Sequence, residues 1–246
     1  MSKIEVLKFG SSVLRSPGDL HVAVDEIYRR WRLNVRLCVV VSAFSQVTDE
    51  LMADVAEIVG TECPEAMAAY VATGEDRTAA LLHGSLHQYG LPSRLVNPRE
   101  IALLADGPLL ESTPRFADRT AIERLLDLHS ILVLPGFYGV DPEGRTSLFG
   151  RGGSDLSALF LAAELGAQCH LAKDKWCVHE NVKQPPRSPA FQGREVIALH
   201  ITDIAYNASS QSRSERLGRH LDGVMELPPL AALANACLFI SRSTFA

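Results

Sequence analysis

Apolar and polar positions switch between two periods along the chain, and the switches outline a succession of strands and helices. Glu5 to Phe9 (EVLKF) reads as a short strand. From Asp19 to Arg32 the apolar residues Leu20, Val24, Ile27 and Trp31 recur at spacings of four, three and four, which predicts a helix with one apolar stripe. Val35 to Val41 (VRLCVVV) is a continuous run rich in β-branched residues, as in a strand covered on both faces. A helix follows from about Asp49 to Val59, with Gly60 suited to its C-cap. Pro64 opens another helical segment, which Gly74 interrupts before a second stretch from Glu75 to Tyr89.

Ser93 to Asn97 reads as a strand, Arg99 to Asp106 is ambiguous, and Ala117 to Leu128 reads as a helix. Ile131 to Leu134 is a buried strand ending at Pro135-Gly136, and Asp141 to Thr146 (DPEGRT) carries hairpin-turn chemistry. Asp155 to Leu165 is a helix closed by Gly166, and Cys169 to Ala172 is a strand. Residues 183 to 193 (KQPPRSPAFQG) form the clear breaker region, with further strands over Glu195 to Ile201 and Cys237 to Ser241. Strands alternating with helices over short connections predict an α/β fold with a mostly parallel sheet flanked by helices. Ligands of such sheets bind beyond the C-terminal strand ends.

Composition narrows the function classes. The chain has 246 residues, 47% hydrophobic and 22% charged, and a formal net charge of -5. That balance argues against a nucleic-acid partner. No apolar run approaches the roughly 20 residues of a membrane span, and MSKIEVLKF enters a strand pattern directly, so a cytoplasmic protein is expected. The five cysteines are odd in number and irregular in spacing, which suits reduced thiols. Cys169, His170, Cys177 and His179 cluster, but in no usual zinc pattern, so no metal held by protein ligands alone is expected.

Of the 24 basic residues only five are lysines, so Lys8 inside a strand was not placed for generic surface charge. Two readings stand for it: a compact cation for phosphate oxygens, or a side chain snorkelling from a sheet edge. Three loops at strand ends carry candidate chemistry. Lys8-Phe9-Gly10-Ser11-Ser12 offers close backbone approach and hydroxyl donors for an anion. Ser42 to Asp49 (SAFSQVTD) is small and rich in hydroxyls, and Thr48 or Asp49 caps the next helix. Gly150 to Ala158 (GRGGSDLSA) joins Gly152 and Gly153 to a helix start at Ser154 or Asp155, with Arg151 suited to a carboxylate. Together they describe a pocket for phosphate and a carboxylate-bearing substrate.

These stretches resemble a known family. LKFGSSV is similar to the KFGGSSV/KFGGTSV opening of aspartate kinases, VVVSAFSQVTDEL to their VVSAMSGVTD-L segment, and Thr73-Gly74-Glu75 to their S-x-GE turn. VLPGFYGVDPEGRTSLFGRGGSDLSA resembles their VVPGFIG…GRGGSDxTA block. The resemblance implies the amino-acid kinase fold, a three-layer αβα sandwich around a mostly parallel sheet. It implies one amino-acid-kinase-like domain over 1–246, with an amino-acid and phosphate lobe over 1–167 and a degenerate nucleotide lobe over 168–246. It gives Lys8 and Asp155 catalytic roles, and assigns Ser42, Thr48, Glu75, Arg151 and Ser154 to the amino acid. Glu75 would lie near the α-ammonium, and Arg151 would clamp the α-carboxylate. Gly10, Ser11, Ser12, Gly152, Gly153, Lys173 and Asp174 would serve phosphate or nucleotide. ATP and Mg²⁺ are the implied cofactors, and the reaction moves the γ-phosphoryl group to a side-chain carboxylate.

The chain also departs from that family. Ser11 and Gln46 stand where it has glycines, and a Cβ at Ser11 is expected to crowd the phosphates or forbid a positive φ. LAKDKWCVHENVKQP at 171 to 185 replaces the family's W-T-D-V-x-G-V-Y-x-x-D-P-R arm, with Cys177 at its glycine and His179 at its aromatic. No later G-A-K-V-L-H-P segment is found in the 246 residues, and the family's ACT domains are not expected within them. The resemblance therefore leaves three functions open: an aspartate-kinase-like enzyme, a pseudokinase that binds an amino acid or supports a partner such as a homoserine dehydrogenase, or a kinase for another small acceptor in secondary metabolism. It is compatible with a homodimer.

Overall fold

The computed structural model describes residues 3–60, 62–173 and 195–199, with the backbone alone at Lys173 and 195–199. In chain order the elements are β1 (Ile4–Phe9), α1 (Leu20–Trp31), β2 (Arg36–Val41), α2 (Val47–Ile58), α3 (Pro64–Gln88), β3 (Ser93–Leu95), β4 (Leu104–Asp106) and β5 (Thr113–Phe116). They continue with α4 (Arg119–His129), β6 (Ile131–Pro135), β7 (Tyr138–Val140), β8 (Thr146–Leu148), α5 (Gly153–Leu165), β9 (Gln168–Lys173) and β10 (Glu195–Leu199). The main sheet has the order β10-β9-β1-β2-β6-β3. All its pairings are parallel except β10 with β9.

Successive residues of a strand point to opposite faces, and here both faces are apolar. Val6, Cys38, Val40, Leu132 and Leu134 pack on Ile122 and Leu126 of α4 and Leu156 and Leu161 of α5. Leu7, Phe9, Val39, Val41 and Val133 pack on Leu20 and Ile27 of α1 and Leu82 and Leu86 of α3. The result is the expected helix–sheet–helix sandwich. Burying each Leu, Ile or Val side chain contributes roughly 1.5–3 kcal/mol, so the inner strands anchor whatever their C-terminal ends carry.

Several local expectations change. Gly74 does not break its helix; α3 runs unbroken from Pro64 to Gln88. A Cβ on Gly74 would come within 3.1 Å of Ala43 Cβ and of Leu51 Cδ1 and 3.3 Å from Val47 Cγ1. The glycine is there for a close crossing by α2 and the Ser42–Asp49 loop. The ambiguous stretch resolves into a 3₁₀ turn (Pro98–Ile101) and β4. β4 joins a second sheet, β5-β4-β7-β8. The DPEGRT turn joins β7 to β8, with the Asp141 amide donating to Arg145 O at 2.9 Å. The breaker region at 183 to 193 and the strand over Cys237 to Ser241 lie outside the described residues.

Candidate functional site

Lys8 lies near the C-terminal end of β1, between β2 and β9, so it cannot snorkel from an edge. It is 7% exposed. It shares the Val6 face, toward α5, and its Nζ stands 2.5 Å from Asp155 Oδ1 in an ion pair. Gly10 makes room for it, since a Cβ there would lie 2.9 Å from Lys8 Nζ. Beyond it the chain turns sharply, with the Val13 and Leu14 amides both donating to Gly10 O at 3.0 and 2.9 Å. Ser11 and Ser12 stand exposed at the turn. Ser11 is not among the residues with positive φ, so this turn makes no demand for glycine there.

Asp155 is held by the N-terminal turn of α5. Gly150 and Gly152, at φ 68° and 76°, make the left-handed bends that aim this helix start at β1. Gly153 follows, and a Cβ on it would lie 2.8 Å from the Phe137 ring and 2.9 Å from Phe149 Cβ. The turn therefore packs flat on the Pro135-Gly136-Phe137 strand end. The first amides of α5 have no acceptor within the helix and carry its positive end.

Glu75 is the third anchor. It sits on α3 beside the Gly74 crossing and is 2% exposed. Its Oε1 accepts from Ser154 Oγ at 3.4 Å, while Oε2 has no hydrogen-bond partner among the described residues. Burial pushes this carboxyl up to about 8, against the Ala43 amide, the Ser154 hydroxyl and the Lys8 charge. The neighbouring Asp76 is engaged elsewhere, accepting from Tyr138 Oη at 2.7 Å. Glu75 thus waits for a cation or a donor.

One cleft of about 270 Å³ gathers these groups. Lys8, Ser11, Ser42, Thr48, Glu75, Gly152, Gly153, Ser154 and Asp155 line it. Gly10 and Ser12 flank it in the β1 turn, and Arg151 is exposed beside Gly152 without lining it. Asp174, Cys177 and His179 lie outside the described residues, as does the Lys173 side chain. The sequence reading missed Ala43, Phe44, Gln46, Asp49 and Phe137 as lining residues. The first four belong to the Ser42–Asp49 loop already singled out, and Phe137 follows the Pro-Gly strand end.

Two of the missed residues are strained. Gln46 has φ 70° and Phe137 φ 68°, a left-handed conformation that costs an L-residue roughly 1–2 kcal/mol. Of the Cys169, His170, Cys177 and His179 cluster, Cys169 is in the α5-side core and His170 faces Glu5, while Cys177 and His179 lie outside the described residues. No helix among the described residues is long and apolar enough to cross a membrane.

Chemically, the cleft can take an anion at Lys8, the serine hydroxyls and the α5 amides, and an ammonium group at Glu75. Comparison with known proteins identifies relatives of the chain. Residues 3–179 match the model of the amino acid kinase family. An aspartokinase of Thermus thermophilus is 33% identical over 171 residues, which is 69% of this chain and 42% of that protein. One from Helicobacter pylori J99 is 31% identical over 170 residues, 69% of this chain and 42% of that protein. The chain thus spans about 42% of the length of these curated relatives. Among solved structures, E. coli aspartokinase III in complex with aspartate and ADP matches with TM-score 0.59 and 21% identity, covering 70% of this chain and 49% of that one. Aspartate kinase from Synechocystis matches with TM-score 0.56 and 30% identity, covering 67% and 27%. Carbamate kinase from Giardia lamblia bound to AMP-PNP shares the fold, with TM-score 0.52 and 15% identity over 75% of each chain.

Proposed function

Because the chain belongs to the amino acid kinase family, we infer that it transfers the γ-phosphoryl group of ATP to the side-chain carboxylate of aspartate or a related amino acid. One observation carries this reading: the buried Lys8–Asp155 pair and the buried, half-satisfied Glu75 line a single cleft. Glu75 takes the α-ammonium, with Ser42, Thr48 and Ser154 around the same substrate and Arg151 closing on its α-carboxylate. The donors present fit a nucleotide's phosphates: Lys8, the exposed Ser11–Ser12 turn after Gly10, and the Gly152–Gly153 bend at the start of α5 would hold them, the Gly153 amide itself donating to Gly150 O at 3.0 Å. Lys173 and Asp174 are assigned to the nucleotide on the resemblance alone. Mg²⁺ arriving with ATP would supply further neutralisation of phosphate charge.

In the step itself a carboxylate oxygen of the amino acid attacks the terminal phosphorus. The bond to the bridging oxygen breaks, and the departing diphosphate keeps that electron pair. No protein nucleophile is needed. The chain contributes position and charge neutralisation, from Lys8 and the α5 amides. Asp155 holds the Lys8 ammonium in place. The division into an amino-acid and phosphate lobe (1–167) and a nucleotide lobe (168–246) belongs to the same proposal, as do a cytoplasmic setting and a homodimer.

A second reading has its own observation. The stretch at 171 to 185 lacks the D-P-R ending of the family's nucleotide arm, which favours an amino-acid-binding pseudokinase that supports a partner enzyme. Calorimetric titration of L-aspartate and of ATP·Mg²⁺, followed by hydroxylamine trapping of the acyl phosphate, tests both. The kinase reading expects binding of each and a hydroxamate product. Aspartate binding without nucleotide binding would transfer the case to the pseudokinase. ATP turnover without aspartyl hydroxamate would move it to another acceptor.

A further inference from the structure

The two strained residues at the cleft differ in what their side chains do. Phe137 has a packing reason for its conformation. Its ring lies against Gly153, its carbonyl accepts from the Phe149 amide at 2.7 Å, and it packs on the cluster that contains Tyr138 and Leu148. Gln46 has no such reason. It occupies the N-cap of α2 at φ 70°, yet its side chain makes no capping hydrogen bond. It is exposed, and what it lines is the cleft. A glycine would relieve the backbone, and an asparagine would tolerate the conformation better.

Its surroundings indicate the ligand chemistry. The Val47 amide is taken by Phe44 O at 3.2 Å. The next amides, of Thr48 and Asp49, have no acceptor inside the helix. This helix start therefore presents donors at a cleft that is also lined by Glu75, whose buried Oε2 has no hydrogen-bond partner among the described residues. A carboxamide offers both donor and acceptor without charge.

We propose that Gln46 is a specificity-determining residue, whose carboxamide hydrogen-bonds the distal acyl group of a short α-amino dicarboxylic acid and limits its length. The inference rests on the amino-acid reading of the cleft given above. Glu75 takes the ammonium end, and the first turn of α2 together with Gln46 takes the acyl end. The left-handed backbone at residue 46 is what turns the side chain into the cleft instead of onto its own helix.

The test compares wild type with Gln46→Gly, Gln46→Ala and Gln46→Asn, using calorimetry with L-aspartate and L-glutamate and thermal melting without ligand. Gln46→Gly is expected to melt about 2–4 °C higher, because the strain is gone. It should bind aspartate about tenfold more weakly, with a smaller preference over glutamate. Gln46→Ala keeps the strain and should lose the same affinity with no rise in melting temperature. Gln46→Asn should retain part of the affinity. Unchanged aspartate affinity in both Gln46→Gly and Gln46→Ala overturns the proposal while leaving the amino-acid reading intact. A wild-type protein that binds neither amino acid overturns both.

Discussion

Two buried clusters of charge flank β1, and they are built to opposite ends. On the α1 side, Glu5, Glu26, Arg30 and His170 form a closed set. Arg30 pairs with both Glu5 and Glu26, Arg29 bonds Glu26 at 2.6 and 2.8 Å, Lys3 reaches Glu5 at 2.8 Å, and His170 Nε2 stands 3.4 Å from Glu5. Burial alone would raise the Glu5 carboxyl, but the His170 hydrogen bond, the Arg30 charge and Lys3 outweigh it and hold the group well below the usual carboxylate range. On the α5 side, Lys8 and Asp155 are also paired, but Glu75 has one oxygen without a partner and a carboxyl pushed up to about 8. Both clusters are desolvated. In the first, each buried carboxylate is paired with its own chain's cations, and in the second Glu75 keeps one oxygen without a partner among the described residues. An acid driven up by burial, in an open cleft, marks the second kind.

Breaking each cluster should separate the two roles. The largest expected effect is Arg30→Met, which strands two buried carboxylates and should cost about 3–5 kcal/mol of unfolding free energy. Chemical denaturation measures it, and aspartate affinity of the folded protein should stay within about twofold. A variant of undiminished stability that cannot bind ligand would reverse the assignment of that cluster. Next is Lys8→Met. It should lower phosphoryl transfer about 10²–10³-fold in the hydroxylamine assay, with circular dichroism unchanged. Retained turnover would remove Lys8 from the chemistry.

The difference between the clusters also explains what could be read from the chain. Most cleft residues sit in or beside loops whose composition departs from any strand or helix pattern, as in GSS after Lys8 and GRGGSD before α5, so their chemistry was visible locally, whereas Glu75 within α3 came only from the family resemblance. The closed cluster was not. Glu5, Arg30 and His170 meet across 25 and 140 positions, and no periodicity reports such pairing. Gly74 was misread for a related reason. Its meaning lies in the close approach of Ala43, Val47 and Leu51, and propensity alone treats a helix glycine as a break. The second sheet escaped notice because β4, β7 and β8 are three residues each, too short to establish a period of two. Gln46 was visible as a departure from a glycine position, but its left-handed backbone was not.

A pH series on Glu75 sharpens the contrast at intermediate scale. Its folded carboxyl is raised from the usual 4.5 to about 8. Between those values the folded protein binds the extra proton, so the associated stability is complete below pH 4.5 and is lost as pH rises toward 8. Between pH 6 and pH 7 the loss should be about 1.4 kcal/mol, and Glu75→Gln should abolish that slope. Saturating L-aspartate should flatten it too, because an ammonium group holds Glu75 ionised. Calorimetry at pH 6.5 in buffers of different ionisation heat should then record close to one proton released on binding. A slope that survives Glu75→Gln would place the titration elsewhere.

The smallest effect on stability is expected at Gly10. A Cβ there would stand 2.9 Å from Lys8 Nζ and 3.9 Å from Ala172 O, so the close contact is with the far end of a flexible side chain and not with backbone. Gly10 is also not among the glycines with positive φ, so alanine fits its conformation. Gly10→Ala should therefore change unfolding free energy by less than about 1 kcal/mol, with the ammonium displaced from its place beside Asp155. Because misplacing a charge by about 1 Å is enough to cost catalysis heavily, transfer should fall while the melting curve stays nearly in place. The α1-side cluster has no position of that kind: its side chains hold one another, and each disturbance should appear first as lost stability. A Gly10→Ala protein that melts far below wild type would mean that Lys8 is held as rigidly as Arg30, and the cleft would then be a structural ion pair that happens to face water.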